Sequence, residues 1–252
     1  MKQLSRLMSN MLNAPFVYFN KSKTLSGKGN ELFEMGVDAM QKGNINDTIN
    51  NFVAALQLNP QSLELLNNMG ALAASINRRQ DSVNFFERGV KTAPKASQIR
   101  YNYGTFLFMN GQFDRALEHL EQASSLETNN SIIKNNLGLA KLQCKKIDES
   151  RKIFEDIISS DEKFEIAYHN LGHVLYREGL YDEAIEYYNK VLSINPSNAI
   201  TLNDKGCCLA FKGQYQEAME AFKAASTINP EFRDAVFNMG YLLIEKNPTI
   251  SF

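Results

Sequence analysis

Two histidines and a cysteine stand where they could act together. His169 and His173 are one helical turn apart, and Cys207 follows at the wider spacing that recurs throughout the chain. Three such side chains could bind zinc, but a closed site needs a fourth ligand, and the glutamate of an HExxH hydrolase is absent. A Cys–His nucleophile also needs an orienting group and an oxyanion site, and nothing in the sequence identifies either. Cys207 and Cys208 are adjacent, so they do not form a CxxC redox pair, and the chain has neither a phosphate-binding loop nor a dinucleotide fingerprint. The expectation is a non-enzymatic protein without metal or cofactor, in which His169 and His173 line a binding surface.

Asparagines offer a second kind of chemistry. Asn68, Asn102, Asn136 and Asn170 follow one another at a single constant step; Asp204 takes the next slot and Asn238 the one after. A side-chain amide carries both donors and an acceptor. It can therefore pair with the C=O and N–H of an extended peptide without reading its sequence. Tyr101 and His169 each precede one of these asparagines and would tune selectivity.

The elements that must position these residues are set by the same period. Of 14 glycines, seven form an unbroken series without insertion: Gly36, Gly70, Gly104, Gly138, Gly172, Gly206 and Gly240. With each glycine numbered 8, units run 29–62, 63–96, 97–130, 131–164, 165–198 and 199–232, followed by a half unit, 233–246. Apolar residues near positions 4, 7, 8, 11 and 12 mark one face of a first helix, as in Tyr168, Leu171, Leu175 and Tyr176. Those at 20, 24, 27 and 28 mark a second, as in Ala184, Tyr188, Val191 and Leu192. Position 15 is Gly or Asn in five units and fits a left-handed helix end. Lys145 departs from this, which predicts a strained or altered turn. Acids at positions 18 and 19 suit the start of the second helix. Pro60, Pro94, Pro196 and Pro230 end it. A mid-helix glycine costs about 1 kcal/mol relative to alanine, so close helix approach must compensate. The small residue at position 20 is the expected neighbour.

This pattern resembles the tetratricopeptide repeat family over residues 29–246: the 34-residue period, Gly at 8, a small residue at 20, a large apolar residue at 24 and Pro at 32. The frequent tryptophan at position 4 is missing, units three and four end in Thr128 and Glu162 instead of proline, and Lys141 replaces an apolar residue at 11. Glu127–Ser131 is the expected flexible joint. The resemblance implies an all-α, right-handed superhelical solenoid of helix-turn-helix hairpins, with first helices lining a concave face. Positions 2, 5, 6, 9, 12 and 13 would face the groove, so the asparagines of position 6 would form a ladder along it. The family's carboxylate clamp requires Lys at 5 and Asn at 9 in one unit; position 9 is Val37, Ala71, Thr105, Leu139, His173, Cys207 and Tyr241, so chaperone C-termini are not the expected ligand.

The chain of 252 residues is 44% hydrophobic and 22% charged, an ordinary globular composition that excludes wholesale disorder. Net charge is −1, which argues against nucleic acid as partner. Three cysteines are too few and too clustered for a disulfide framework, which fits a reducing, cytoplasmic setting. Residues 1–28 form a separate basic segment, with Lys2, Arg6, Lys21, Lys23 and Lys28 and no acid. Leu4, Leu7, Met8, Met11 and Leu12 have amphipathic spacing, and Phe16, Val17, Tyr18 and Phe19 add an apolar patch. This segment either docks on the first repeat or in the groove of its own or another copy, lies on a membrane surface, or is a cleaved targeting peptide. Residues 247–252 are a short tail. The expected function is a protein-interaction scaffold whose groove takes a peptide or protein partner through Asn68, Asn102, Asn136, Asn170, Asn238, Tyr101, His169 and His173. The alternative is a self-assembling homo-oligomer or a membrane-peripheral organising factor acting through residues 1–19 and the end of the array, where Phe237, Leu242 and Ile244 could self-associate.

Overall fold

The computed structural model describes residues 16–246. Within them it has thirteen α-helices and no strand, and it is 77% helical. The helices are α1 (Gly27–Gln41), α2 (Ile45–Leu58), α3 (Leu63–Ser75), α4 (Arg79–Thr92), α5 (Ser97–Met109), α6 (Phe113–Leu126), α7 (Ser131–Gln143), α8 (Ile147–Ser160), α9 (Glu165–Glu178), α10 (Tyr181–Ile194), α11 (Ala199–Phe211), α12 (Tyr215–Ile228) and α13 (Arg233–Lys246). The chain divides into two compact units, Met1–Cys144 and Lys145–Phe252. In the first, α1–α2, α3–α4 and α5–α6 are hairpins that stack in chain order, with α7 packed on α6. In the second, α9–α10 and α11–α12 are hairpins, with α8 before them and α13 after.

Each hairpin turns through one residue in the left-handed region. These are Gly43, Asn77, Gly111, Gly179 and Gly213, and also Lys145, at φ 61°. At Gly179 the reason is visible. Leu180 donates its N–H to Leu175 O and Gly179 to Tyr176 O, closing the last turn of α9 by the glycine-dependent C-terminal motif. Lys145 adopts the same left-handed φ with a Cβ that bears the strain. The starts of α2, α3, α7 and α11 are capped by side chains of Asn44, Ser62, Asn130 and Asn198, which satisfy N–H groups that have no helical partner.

The position 8 glycines meet a second neighbour besides the small residue expected at position 20. A Cβ on Gly70 would lie 2.7 Å from the Phe86 ring, on Gly172 2.7 Å from Tyr188, and on Gly206 2.6 Å from Phe222. The large residue at position 24 excludes the methyl group, joined at Gly104 by the position 20 carbonyl of Ala116 at 3.2 Å. Position 20 also sits against the glycine's backbone, as where Ser82 Oγ donates to Gly70 O at 2.9 Å. Phe52, Phe86, Leu120, Phe154 and Tyr188 are thereby fully buried, each side chain contributing roughly 1.5–3 kcal/mol of burial.

The central departures from the repeat pattern are resolved locally. Lys141 is buried at position 11, where its ammonium meets Glu121 Oε1 of α6 at 2.8 Å. Residues 127–131 make a short turn within the first unit, and the division between the units falls at Cys144–Lys145. In the second unit Leu242 packs into the cluster of Leu209, Ala218, Ala221 and Phe222, so it is not an exposed apolar end; Val236, Phe237, Tyr241 and Leu243 of α13 are exposed.

Candidate functional site

Residues 16–25 of this chain lie against α3 and α5, and two asparagines hold them by the backbone. Val17 N–H donates to Asn102 Oδ1 at 2.9 Å, and Asn102 Nδ2 donates back to Val17 O at 2.7 Å. Phe19 N–H donates to Asn68 Oδ1 at 2.8 Å, and Asn68 Nδ2 to Phe19 O at 2.8 Å. Each amide thus closes a two-point pair with one residue. The paired residues are two apart, as an extended chain demands, because alternate residues face the same side. Asn67 Nδ2 and Gln98 Nε2 add donors to Val17 O at 3.0 and 3.2 Å. Asn67 Oδ1 in turn accepts from Asn102 Nδ2 at 2.8 Å, which orients the amide. Asn67, Asn68 and Asn102 are fully buried beneath the segment, where an unpaired amide would cost several kcal/mol.

Side chains of the segment fill apolar and polar places beside the ladder. The Phe16 ring lies 6.4 Å from Phe86. Burial pushes the Tyr18 phenol above its ordinary value, partly offset by a hydrogen bond with Ser75. Phe19 and Leu25 pack on the cluster of Phe33, Phe52, Leu65, Met69 and Leu72. At the other end, Glu64 accepts from Lys23 N–H at 3.1 Å, Thr24 Oγ1 at 2.9 Å and Ser62 Oγ at 3.0 Å. Burial alone would raise this carboxyl, but those donors hold it below the usual carboxylate value.

The third asparagine of the ladder is used differently. Asn136 Nδ2 donates to Tyr101 Oη at 3.1 Å and to Thr105 Oγ1 at 3.0 Å. Tyr101 is buried, which pushes its phenol up to about 12. Tyr101 and Asn136 are therefore brought together as a buried pair. Asn67, Gln98 and Glu64 also belong to the site; Asn67 stands at position 5, which is expected to face the groove, and none of the three is among the eight residues singled out for contact. Glu64 and Gln98 both stand at position 2, one of the groove-facing positions, so their polarity was the available signal.

In the second unit two of the predicted residues, His169 and Asn238, join another cluster. His169 Nδ1 is 2.9 Å from Thr201 Oγ1, and His169 Nε2 is 3.4 Å from Asp204 Oδ2. Asn203 Nδ2 donates to Asp204 Oδ1 at 3.2 Å, and Asn238 Nδ2 to Asn203 Oδ1 at 2.9 Å and Cys207 Sγ at 3.5 Å. Asn170 is fully buried on α9. Burial lowers His169 to about 3 and His173 to about 4, the latter helped by Arg177, and raises Asp204 to about 7. It also raises the Cys207 thiol to about 12. Those directions oppose a thiolate–imidazolium pair, which needs a low thiol pKa and a charged imidazole. Among the described residues no three His, Cys, Asp or Glu side chains are grouped to hold a metal ion, and no helix is long and apolar enough to cross a membrane.

Comparison with known proteins gives a consistent fold. Three profiles, each described as tetratricopeptide repeat, match residues 68–127, 107–172 and 163–231. No curated protein matches the sequence. Among solved structures, PilW, described as a widely conserved type IV pilus biogenesis factor, superposes with a TM-score of 0.77 at 15% identity, covering 85% of this chain and 100% of that one. PilF of Pseudomonas aeruginosa gives 0.70 at 19% identity, covering 85% and 97%. YrrB, described as having an unusual peptide-binding site, gives 0.57 at 20% identity, covering 74% and 96%.

Proposed function

Since this chain belongs to the tetratricopeptide repeat family, we propose that it is a non-catalytic interaction scaffold that binds an extended segment of a partner protein along its ladder of asparagines. One observation carries the reading: Asn68 and Asn102 each engage both backbone groups of a single residue, Phe19 and Val17. Pairing of this kind recognises main chain, as an added strand does at a sheet edge, and leaves selectivity to the pockets between rungs. The described peptide-binding site of YrrB is in keeping with it. In this reading Tyr101 and Asn136 support the rungs of the first unit from behind as a buried pair, and Asn170, Asn238, His169 and His173 serve the second.

The test uses peptides selected from a random display library on the full chain carrying Phe16→Ser/Phe19→Ser, which weakens the segment already on the ladder, and measured by fluorescence anisotropy. The Asn68→Ala/Asn102→Ala change is then made in that parent background. The Asn68→Ala/Asn102→Ala variant removes four backbone hydrogen bonds, each contributing roughly 0.5–1.5 kcal/mol. Affinity should fall at least about tenfold with the far-ultraviolet circular dichroism unchanged. Selected peptides that bind the variant as well as the parent would refute the ladder.

A further inference from the structure

Resting on that reading, we infer that residues 16–19 are a tethered ligand of the groove, and that the partner segment it admits is an extended peptide rich in aromatic side chains that enters by displacing them. The segment in place shows what the surface accepts. Its backbone uses the rungs at Asn102 and Asn68. Three of its four side chains are aromatic, and each has a distinct setting: Phe16 by Phe86, Tyr18 by Ser75, and Phe19 on the cluster around Phe33 and Leu65. A competitor must reproduce both the main-chain pairing and this apolar content, because losing either leaves buried amides or apolar surface without a partner.

Residues 16–19 lie on the array and are not part of its core. They are only half-buried, whereas Phe33, Phe52 and Leu65 beneath them have no exposed surface. The connection to α1 at Gly27 is short and polar, and Asn20, Lys21, Lys23, Thr24 and Ser26 along it are exposed. A tether of this length holds its ligand at an effective concentration on the order of millimolar. A free peptide with the same contacts is therefore largely excluded, and its apparent affinity falls by the fraction of molecules whose groove is open. Binding of a partner is gated by this competition: a partner succeeds by offering more contacts than four residues can, or when the tethered segment is drawn elsewhere.

The probe is a fluorescein-labelled peptide with the sequence of residues 16–21, titrated into the full chain. Phe16→Ser/Phe19→Ser weakens the tethered occupant without touching either asparagine. The probe should bind this variant at least about tenfold more tightly than the parent, and adding Asn68→Ala/Asn102→Ala should abolish the gain. Circular dichroism checks that the array is intact. Should the double variant lose helix, hydrogen exchange on the parent decides instead: a saturating dose of peptide should raise exchange at the Val17 and Phe19 amides. Equal affinity of parent and opened variant, or no change in exchange at those amides, would overturn the inference. If a Gly-Ser-rich peptide of equal length binds the opened variant as well as the probe does, backbone recognition stands and the aromatic preference falls. If neither peptide binds the opened variant, the groove reading falls with it. Parent dimers in light scattering that the peptide dissolves would assign the segment to a second copy and overturn the tethered arrangement.

Discussion

At the residue scale, an amide is informative because of what it leaves unsatisfied. Asn68 and Asn102 are buried beneath main chain that pairs with their amides, whereas Asn136, at the same repeat position, satisfies Nδ2 on Tyr101 and Thr105. Repeat position thus sets where a polar side chain points, and its neighbours decide whether a donor is left for a ligand. Asp204 shows the same dependence with a charge. Its carboxyl is raised from 3.8 to about 7, first by burial, with Asn203 opposing and Asp234 reinforcing the rise. A carboxyl whose folded value lies above its unfolded one adds stability below the unfolded value, and loses it as pH rises through the folded one. His169 and His173 have the opposite sign, since their folded values lie below 6.5 and their contribution fades as pH falls. Asp204→Asn removes only the first effect. It should stabilise the chain at pH 8 by on the order of 1–3 kcal/mol and much less at pH 5. Urea midpoints at the two pH values would check this, and a pH-independent difference would contradict it.

At the element scale, the repeated glycines separate two explanations of why a helix tolerates a costly residue. If the glycine serves the ring at position 24, its replacement should depend on whether that ring is present. Gly172→Ala drives a methyl group to 2.7 Å from Tyr188, and overpacking of this kind costs roughly 1–3 kcal/mol. Gly240 occupies the same position in α13, but a Cβ there meets nothing within 4 Å. Gly240→Ala should therefore stabilise by about 0.5–1 kcal/mol through helix propensity. Thermal melts of the two variants should move in opposite directions; a fall in both would mean that backbone flexibility, not packing, keeps the glycines.

At the scale of the whole molecule, the division into compact units coincides with the turn through Lys145. Lys145 shares the left-handed φ of the other turn residues, yet it carries a Cβ and a long side chain. Relief of this strain should make Lys145→Gly more stable by about 1 kcal/mol, measurable as a higher urea midpoint. No gain would show that contacts of the lysine side chain offset the strain. On the same scale, the segment at 16–25 spans up to 85 residues of sequence to reach its partners, so what covers the first unit's asparagines is a long-range matter.

How much was legible beforehand follows from the range of the forces involved. A helix is closed by bonds four residues apart, and a hairpin by one left-handed residue between two apolar stripes. Periodicity alone therefore determined the helices, the turns, the position 24 core and the alignment of the asparagines. Which atom each asparagine would meet was not legible, because it depends on contacts 31 to 85 residues away. The same holds for the position 24 side chain against Gly70, Gly172 and Gly206, a contact made between two helices and not within one. Only the folded chain decided that Glu64, Asn67 and Gln98 join the site, that Lys141 finds Glu121, and that the chain's own residues 16–25 occupy the ladder: a repeating pattern specifies the hairpin, whereas the surface that stacked hairpins present is occupied according to long-range packing and the pairing of buried polar groups.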